Sequence, residues 1–185
     1  MGVTDVTGRS DTAAVLARPS CVLPARTSVY PDELLLRIYR ETRTIAMVGA
    51  SPNWNRPSFF VMRYLQRKGF RVIPVNPRAV DAPILGETVY PDLASVPVPV
   101  DVVDVFRRPE DTPAIAREAA AIGAGVLWLQ LGIRNPETAT IAGLAGLTVI
   151  EDQCMKIEYG RLGGELAWNG INTRVISSRR GRALG

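Results

Sequence analysis

Four polar segments of the chain carry residue types that bind phosphate or nucleotide groups. The first runs Gly49-Ala50-Ser51-Pro52-Asn53-Trp54-Asn55-Arg56-Pro57-Ser58. A glycine lets a ligand approach the main chain closely, and Ser51, Asn53 and Ser58 supply side-chain hydrogen bonds. Pro57 suits the first turn of a helix, whose free N–H groups attract phosphate. The run lacks the GxGxxG spacing of a dinucleotide loop, so a plain polar connection also fits it. The second segment is Val75-Asn76-Pro77-Arg78. An NAD-binding fold carries an acid at this place to hold the ribose hydroxyls; Arg78 suits a phosphate on the ribose instead. A solvated arginine in a proline turn is the alternative. In the third, Phe106-Arg107-Arg108-Pro109-Glu110, the ring can flank an adenine and an arginine can meet a phosphate, or Phe106 is core and the arginines are surface. The fourth, Trp128 to Asn135, offers Gln130 and Gly132 to a cleft, with Trp128 better suited to the core.

What is missing narrows the chemistry. The chain has no histidine, which removes the commonest general base, the usual metal ligand and a phosphohistidine relay together. Cys21 and Cys154 are too few for a disulfide framework and point to a reducing, cytoplasmic setting. Their spacing fits no zinc motif. Cys154 is the one plausible nucleophile, yet Glu151, Asp152 and Glu158 beside it would raise its pKa rather than lower it. Asp101 and Asp104 lie three apart on a strand, hence on opposite faces, and cannot share acid–base work. The formal charge of +4 comes mostly from arginine, since Lys68 and Lys156 are the only lysines. Arginine favours bidentate contact with phosphate, and a genome-wide compositional bias would give the same balance. The arginines are scattered and no aromatic–basic module accompanies them, so nucleic acid is not expected as a partner.

These segments need a scaffold, and the rest of the sequence describes one. At 46% hydrophobic and 22% charged residues, the 185-residue chain matches an ordinary globular domain. No stretch approaches the roughly 18 apolar residues of a membrane span, so no membrane is expected as a partner. Pro31-Asp32-Glu33 opens a helix with Leu34, Leu35 and Ile38 on one face. From there strands and helices alternate. Strands are expected at 44–49, 70–75, 100–106, 125–130 and 147–150, and a short one at 84–89. Helices are expected at 57–68, 110–122 and 136–145, with a helical turn at 93–96. Pro74 is an objection to a central position for its strand. This alternation predicts an α/β fold: a single Rossmann-like three-layer domain, a mainly parallel sheet with helices on both faces. Ligands of such sheets bind at the carboxyl ends of the strands, where the four segments fall. Residues 1–27, rich in Thr, Ser, Ala and Arg, are expected to be a disordered tail, 28–162 the domain, and 163–185 a C-terminal extension.

Taken in order, several blocks resemble the CoA-binding domain family of small Rossmann proteins, related to the CoA-binding part of the succinyl-CoA synthetase α subunit. They are Ile45-Ala-Met-Val-Gly-Ala-Ser-Pro52, Arg56-Pro-Ser58, Gly69 to Pro77, Leu85-Gly-Glu-Thr-Val-Tyr90, Val100 to Pro109, Trp128-Leu-Gln-Leu-Gly132 and Asp152 to Glu158. The resemblance spans about residues 32–162. It implies that Gly49, Ala50, Ser51, Pro52 and Asn53, with Arg56, Pro57 and Ser58, cradle the diphosphate of coenzyme A. It implies that Asn76, Pro77 and Arg78 hold the adenosine and its 3′-phosphate. Phe106 and Arg107 would border the adenine side, and Gln130 with Gly132 the pantetheine path. Gln153-Cys-Met departs from the Arg-Cys-Pro that relatives often carry.

The function expected is binding of coenzyme A or an acyl-CoA by a non-catalytic, sensory or regulatory protein. The phosphoryl-transfer chemistry of the synthetases needs a histidine this chain lacks. Two other readings stay open: an NADP-dependent oxidoreductase on the same fold, which Arg78 favours, and a degenerate Rossmann domain acting as a protein-interaction scaffold.

Overall fold

Five short apolar runs make the sheet. They are β1 (Thr44–Val48), β2 (Arg71–Val75), β3 (Val102–Val105), β4 (Val126–Leu129) and β5 (Thr148–Ile150). A computed structural model describes residues 30–163, so the expectations for 1–27 and for the extension past Gly163 lie outside the described residues. The strand order is β2-β1-β3-β4-β5 and every pair is parallel. Sheet order reverses between β1 and β3, the point at which such sheets take ligands.

Helices cover both faces, and the alternation of side chains decides which residues each face receives. Ile45, Met47, Val102, Trp128 and Ile150 pack beneath α1 (Asp32–Glu41), α2 (Pro57–Arg67) and α5 (Met155–Leu162). Ala46, Val103, Val105, Leu127 and Leu129 pack beneath α3 (Thr112–Ala121) and α4 (Pro136–Leu144). Burial on both faces explains why the strands read as near-continuous β-branched runs. The helix starts follow sequence chemistry: α1 has Asp32 and Glu33 in its first turn, and Asn135 caps α4 by accepting from Glu137 N and Thr138 N.

Pro74 is accommodated because β2 is an edge strand. Its carbonyl accepts from Tyr90 N at 3.0 Å on the outer side, where no strand requires the missing N–H. The strand expected at 84–89 does not form. Leu85 and Gly86 both have positive φ (49° and 86°), as a type I′ turn requires, and Ile84 and Glu87 exchange their backbone hydrogen bonds across it. The chain therefore folds back on itself there, and only Tyr90 bridges to the sheet, at Val75. The turn at 93–96 is present, closed by Val96 N to Leu93 O at 3.2 Å.

Helix α5 was not anticipated, and long-range contacts hold it. Trp128 Nε1 donates to Gln153 O at 2.7 Å, and the Tyr39 hydroxyl donates to Met155 O at 2.8 Å. Arg161 then ties α5 to α1 through Asp32 at 2.7 Å, while also meeting Glu158.

Candidate functional site

The loop from β1 to α2 depends on Gly49. Its φ is +85°, and a Cβ there would lie 2.6 Å from the carbonyl oxygen of Phe106. Only glycine lets the chain pass over the end of β3 this closely. Beyond it the loop is tied by its own side chains. Ser51 N donates to Ser58 Oγ at 3.2 Å, Asn53 N to Ser51 Oγ at 3.2 Å, and Asn55 N to Asn53 Oδ1 at 2.9 Å. Hydroxyls used as acceptors keep their O–H to donate, so Ser51 can still serve a ligand.

Helix α2 begins without a side-chain cap. Arg56 is extended at the N-cap position, Pro57 follows, and no acid stands in the first turn. The positive end of the helix dipole is thus neutralised by nothing in its own first turn, and an anion would be favoured there. Pro52, Asn53, Arg56 and Pro57 are all exposed.

The Asn76 side chain is a brace. Its Nδ2 donates to Ala50 O at 2.7 Å and its Oδ1 accepts from Arg78 N at 3.0 Å, which locks the β2 turn against the β1 loop. Arg78 itself is exposed, and among the described residues no carboxylate pairs with its guanidinium. A cavity of about 380 Å³ opens beside these turns, on the α3 side of the sheet. Val48, Val75 and Ile115 floor it, with Gly49, Asn76, Pro77 and Arg107 at its edge. That volume and mixture suit a flat, partly apolar group such as a nucleobase.

Charge in this cavity is divided. Arg107 pairs with Asp111 at 3.3 Å. Asp92 is held below the usual carboxylate range by its hydrogen bonds to Ser95, while burial and then the Asp92 charge push Glu118 up. The acids make the cavity a poor seat for a phosphate and a better one for a neutral ring with amino donors. A larger cavity, about 500 Å³, lies at the opposite, amino ends of the strands. Asp101 borders it and is spent on Arg43 N and Thr44 N at 2.7 and 2.8 Å, and the cavity lies far from the switch point.

The remaining expected residues divide between the two faces. Phe106 does not border the cavity, because strand alternation turns its half-buried ring toward the opposite core while Arg107 faces the cavity. The Gln130 amide is engaged at its NH2 end. It is buried, and its Nε2 donates to Asp104 Oδ1 at 2.7 Å. Gly132 is exposed with φ +77°, and its N–H is held by Asp152 Oδ1 at 2.7 Å.

Asp104 is the residue that sequence reasoning set aside. It and Asp101 do stay apart, but Asp104 is fully buried, and burial pushes its carboxyl up to about 7. Its signal in the sequence was an acid inside an otherwise apolar strand. Cys154 is a free, buried thiol at the head of α5, pushed up chiefly by burial and further by the charge of Asp104. Among the described residues no group of acids, cysteines or histidines could hold a metal ion.

A family model described as a CoA binding domain matches residues 43–160, from just before β1 into α5. The chain belongs to that family. A Bacillus subtilis protein, the uncharacterized YneT, is 37% identical over 122 residues, covering 66% of this chain and 89% of its own. A hypothetical protein from Pyrococcus horikoshii superposes with TM-score 0.70 at 35% identity, covering 75% of this chain and 97% of that one. A Thermus thermophilus structure gives 0.70 at 38%, covering 72% and 99%. Part of a dinucleotide-forming acetyl-coenzyme A synthetase from Korarchaeum shares the fold, with TM-score 0.53 at 23% identity, over 62% of this chain and 26% of the synthetase. The matched range takes in the glycine loop, the β2 turn and the ends of β3 and β4. No helix among the described residues is long and apolar enough to cross a membrane.

Proposed function

We propose that the protein binds coenzyme A or an acyl-CoA along the carboxyl ends of its strands and holds it without chemical change, as a sensor or regulatory component. The observation that carries this reading is the Gly49–Ser58 loop: a glycine-dependent turn leading into an uncapped helix start, beside a nucleobase-sized cavity. The diphosphate would lie against Ser51 and the first turn of α2. The adenine would enter the cavity, with Asp92 or Glu118 accepting from its amino group. Arg78, with no carboxylate partner among the described residues and outside the acid-lined cavity, suits the 3′-phosphate. The pantetheine arm would cross toward Gln130 and Gly132.

A binding role is favoured over a catalytic one by the lack of histidine and by a thiol whose pKa is raised rather than lowered. A free buried thiol suits a cytoplasmic setting. One observation favours a second reading: Arg78 would serve the 2′-phosphate of NADP equally well, as in an oxidoreductase.

Thermal unfolding with coenzyme A, dephospho-CoA, acetyl-CoA, NADPH and NADH tests the choice. A ligand at about a hundredfold excess over its Kd adds roughly 2.7 kcal/mol, which moves the midpoint of a domain this size by several degrees. The shift is expected with coenzyme A and acetyl-CoA and to shrink with dephospho-CoA. A shift with NADPH alone would transfer the assignment to the oxidoreductase reading.

A further inference from the structure

Asp104 is expensive for the fold, and the side chain that bonds it is Gln130. Asp104 stands mid-strand in β3, level with Met47 on β1 and Trp128 on β4, and is 0% exposed. Oδ1 accepts from Gln130 Nε2, and Oδ2 has no hydrogen-bond partner among the described residues. Such a carboxyl costs stability that an apolar residue of similar size would not, so its presence calls for a use.

The use follows from what a carboxylate can do. It only accepts, so the amide facing it must present its NH2, and the Gln130 Oε1 is turned the other way. That Oε1 makes no hydrogen bond among the described residues, and the residue keeps 5% of its surface exposed. Gln130 stands at the carboxyl end of β4, two residues before the exposed Gly132.

We infer that Asp104 is a positioning residue that sets whether Gln130 offers an acceptor or a donor to the reactive end of a CoA ligand, and so distinguishes a free thiol from a thioester. This rests on the CoA-binding reading above. With Asp104 ionised, Oε1 faces the ligand and accepts from a thiol S–H or an amide N–H. With Asp104 protonated, its O–H donates to Oε1, the amide turns over, and the NH2 meets a thioester carbonyl.

The change falls in the neutral range, since burial lifts the carboxyl to about 7. The two neighbouring groups with shifted pKa values, Tyr39 and Cys154, both move away from that range. Tyr39 of α1 donates to Met155 O and is raised well above its usual value by burial. Cys154 of α5 is raised and stays a thiol, and Glu158 is ion-paired with Arg161. Met47 and Trp128, the flanking strand residues, carry no charge.

The test is the ratio of affinities for coenzyme A and acetyl-CoA at pH 6 and pH 8. Adenosine 3′,5′-bisphosphate, which lacks the pantetheine arm, serves as the control. In the wild type the ratio should move toward coenzyme A by about fivefold from pH 6 to 8, the worth of one hydrogen bond of about 1 kcal/mol. In Asp104→Asn the ratio should no longer depend on pH, while the bisphosphate binds as before. A flat wild-type ratio, or a slope that survives in Asp104→Asn, overturns the inference. If the variant fails to fold, the wild-type profile alone decides. Failure of the wild type to bind any of the three ligands would instead sink the CoA-binding reading itself.

Discussion

At Gly49 the need for glycine is doubly determined, by a positive φ and by the Phe106 carbonyl 2.6 Å from where a Cβ would be. Gly49→Ala should therefore cost roughly 2–3 kcal/mol and weaken coenzyme A binding. Gly143, inside α4 with nothing within 4 Å of its virtual Cβ, supplies the control. Gly143→Ala should gain about 0.5–1 kcal/mol. Urea unfolding of the two variants reads both signs. Asp104 makes a prediction of the opposite kind from most acids. Its folded pKa, about 7, lies above the unfolded value near 3.8, so the folded state holds the extra proton. Stability should fall as pH rises from about 4 to 7, by at most roughly 4 kcal/mol, and stay low above that. Asp104→Asn should flatten this slope and raise the unfolding midpoint at pH 8 more than at pH 5. A slope unchanged by the substitution would show that other groups carry it. Among single residues, Gly49 was legible from its type and place. Asp104 was not, because the group that gives it meaning, Gln130, lies 26 residues away on the neighbouring strand.

The strands were legible because burial on both faces leaves no polar alternation to confuse them; Val102–Val105 is buried throughout. Helix α5 was illegible for the converse reason. Its start is set by distant side chains, chiefly Trp128 and Tyr39, and not by a local cap, since Cys154 makes none. Trp128→Phe should keep most of the buried surface but strand the Gln153 carbonyl, costing about 1–3 kcal/mol. Amide hydrogen exchange should then quicken across Met155–Leu162 more than in α3. Equal acceleration in both helices would mean that the indole stabilises the core as a whole. The turn at Leu85-Gly86 misled sequence reading because Leu85 adopts positive φ, which residue type does not advertise. Phe106 turns to the face opposite the α3-side cavity, since alternation from β3 continues one residue past its end.

At the scale of the whole molecule, a parallel sheet that reverses order between β1 and β3 gathers the glycine loop, the Asn76 brace and Gln130 along one edge. The larger cavity at the other edge is bordered by a carboxylate already committed to the backbone, which is why position in the topology outweighs size in locating the site. CoA binding and NADP-dependent reduction would use that same edge, so fold alone does not separate them. Calorimetric titration of the protein with coenzyme A separates them most directly. A saturable heat with one ligand per chain, weakened at least severalfold by Arg78→Ala or by dephospho-CoA, is the predicted result. No heat with coenzyme A at millimolar concentration, beside saturable binding of NADPH, would contradict it.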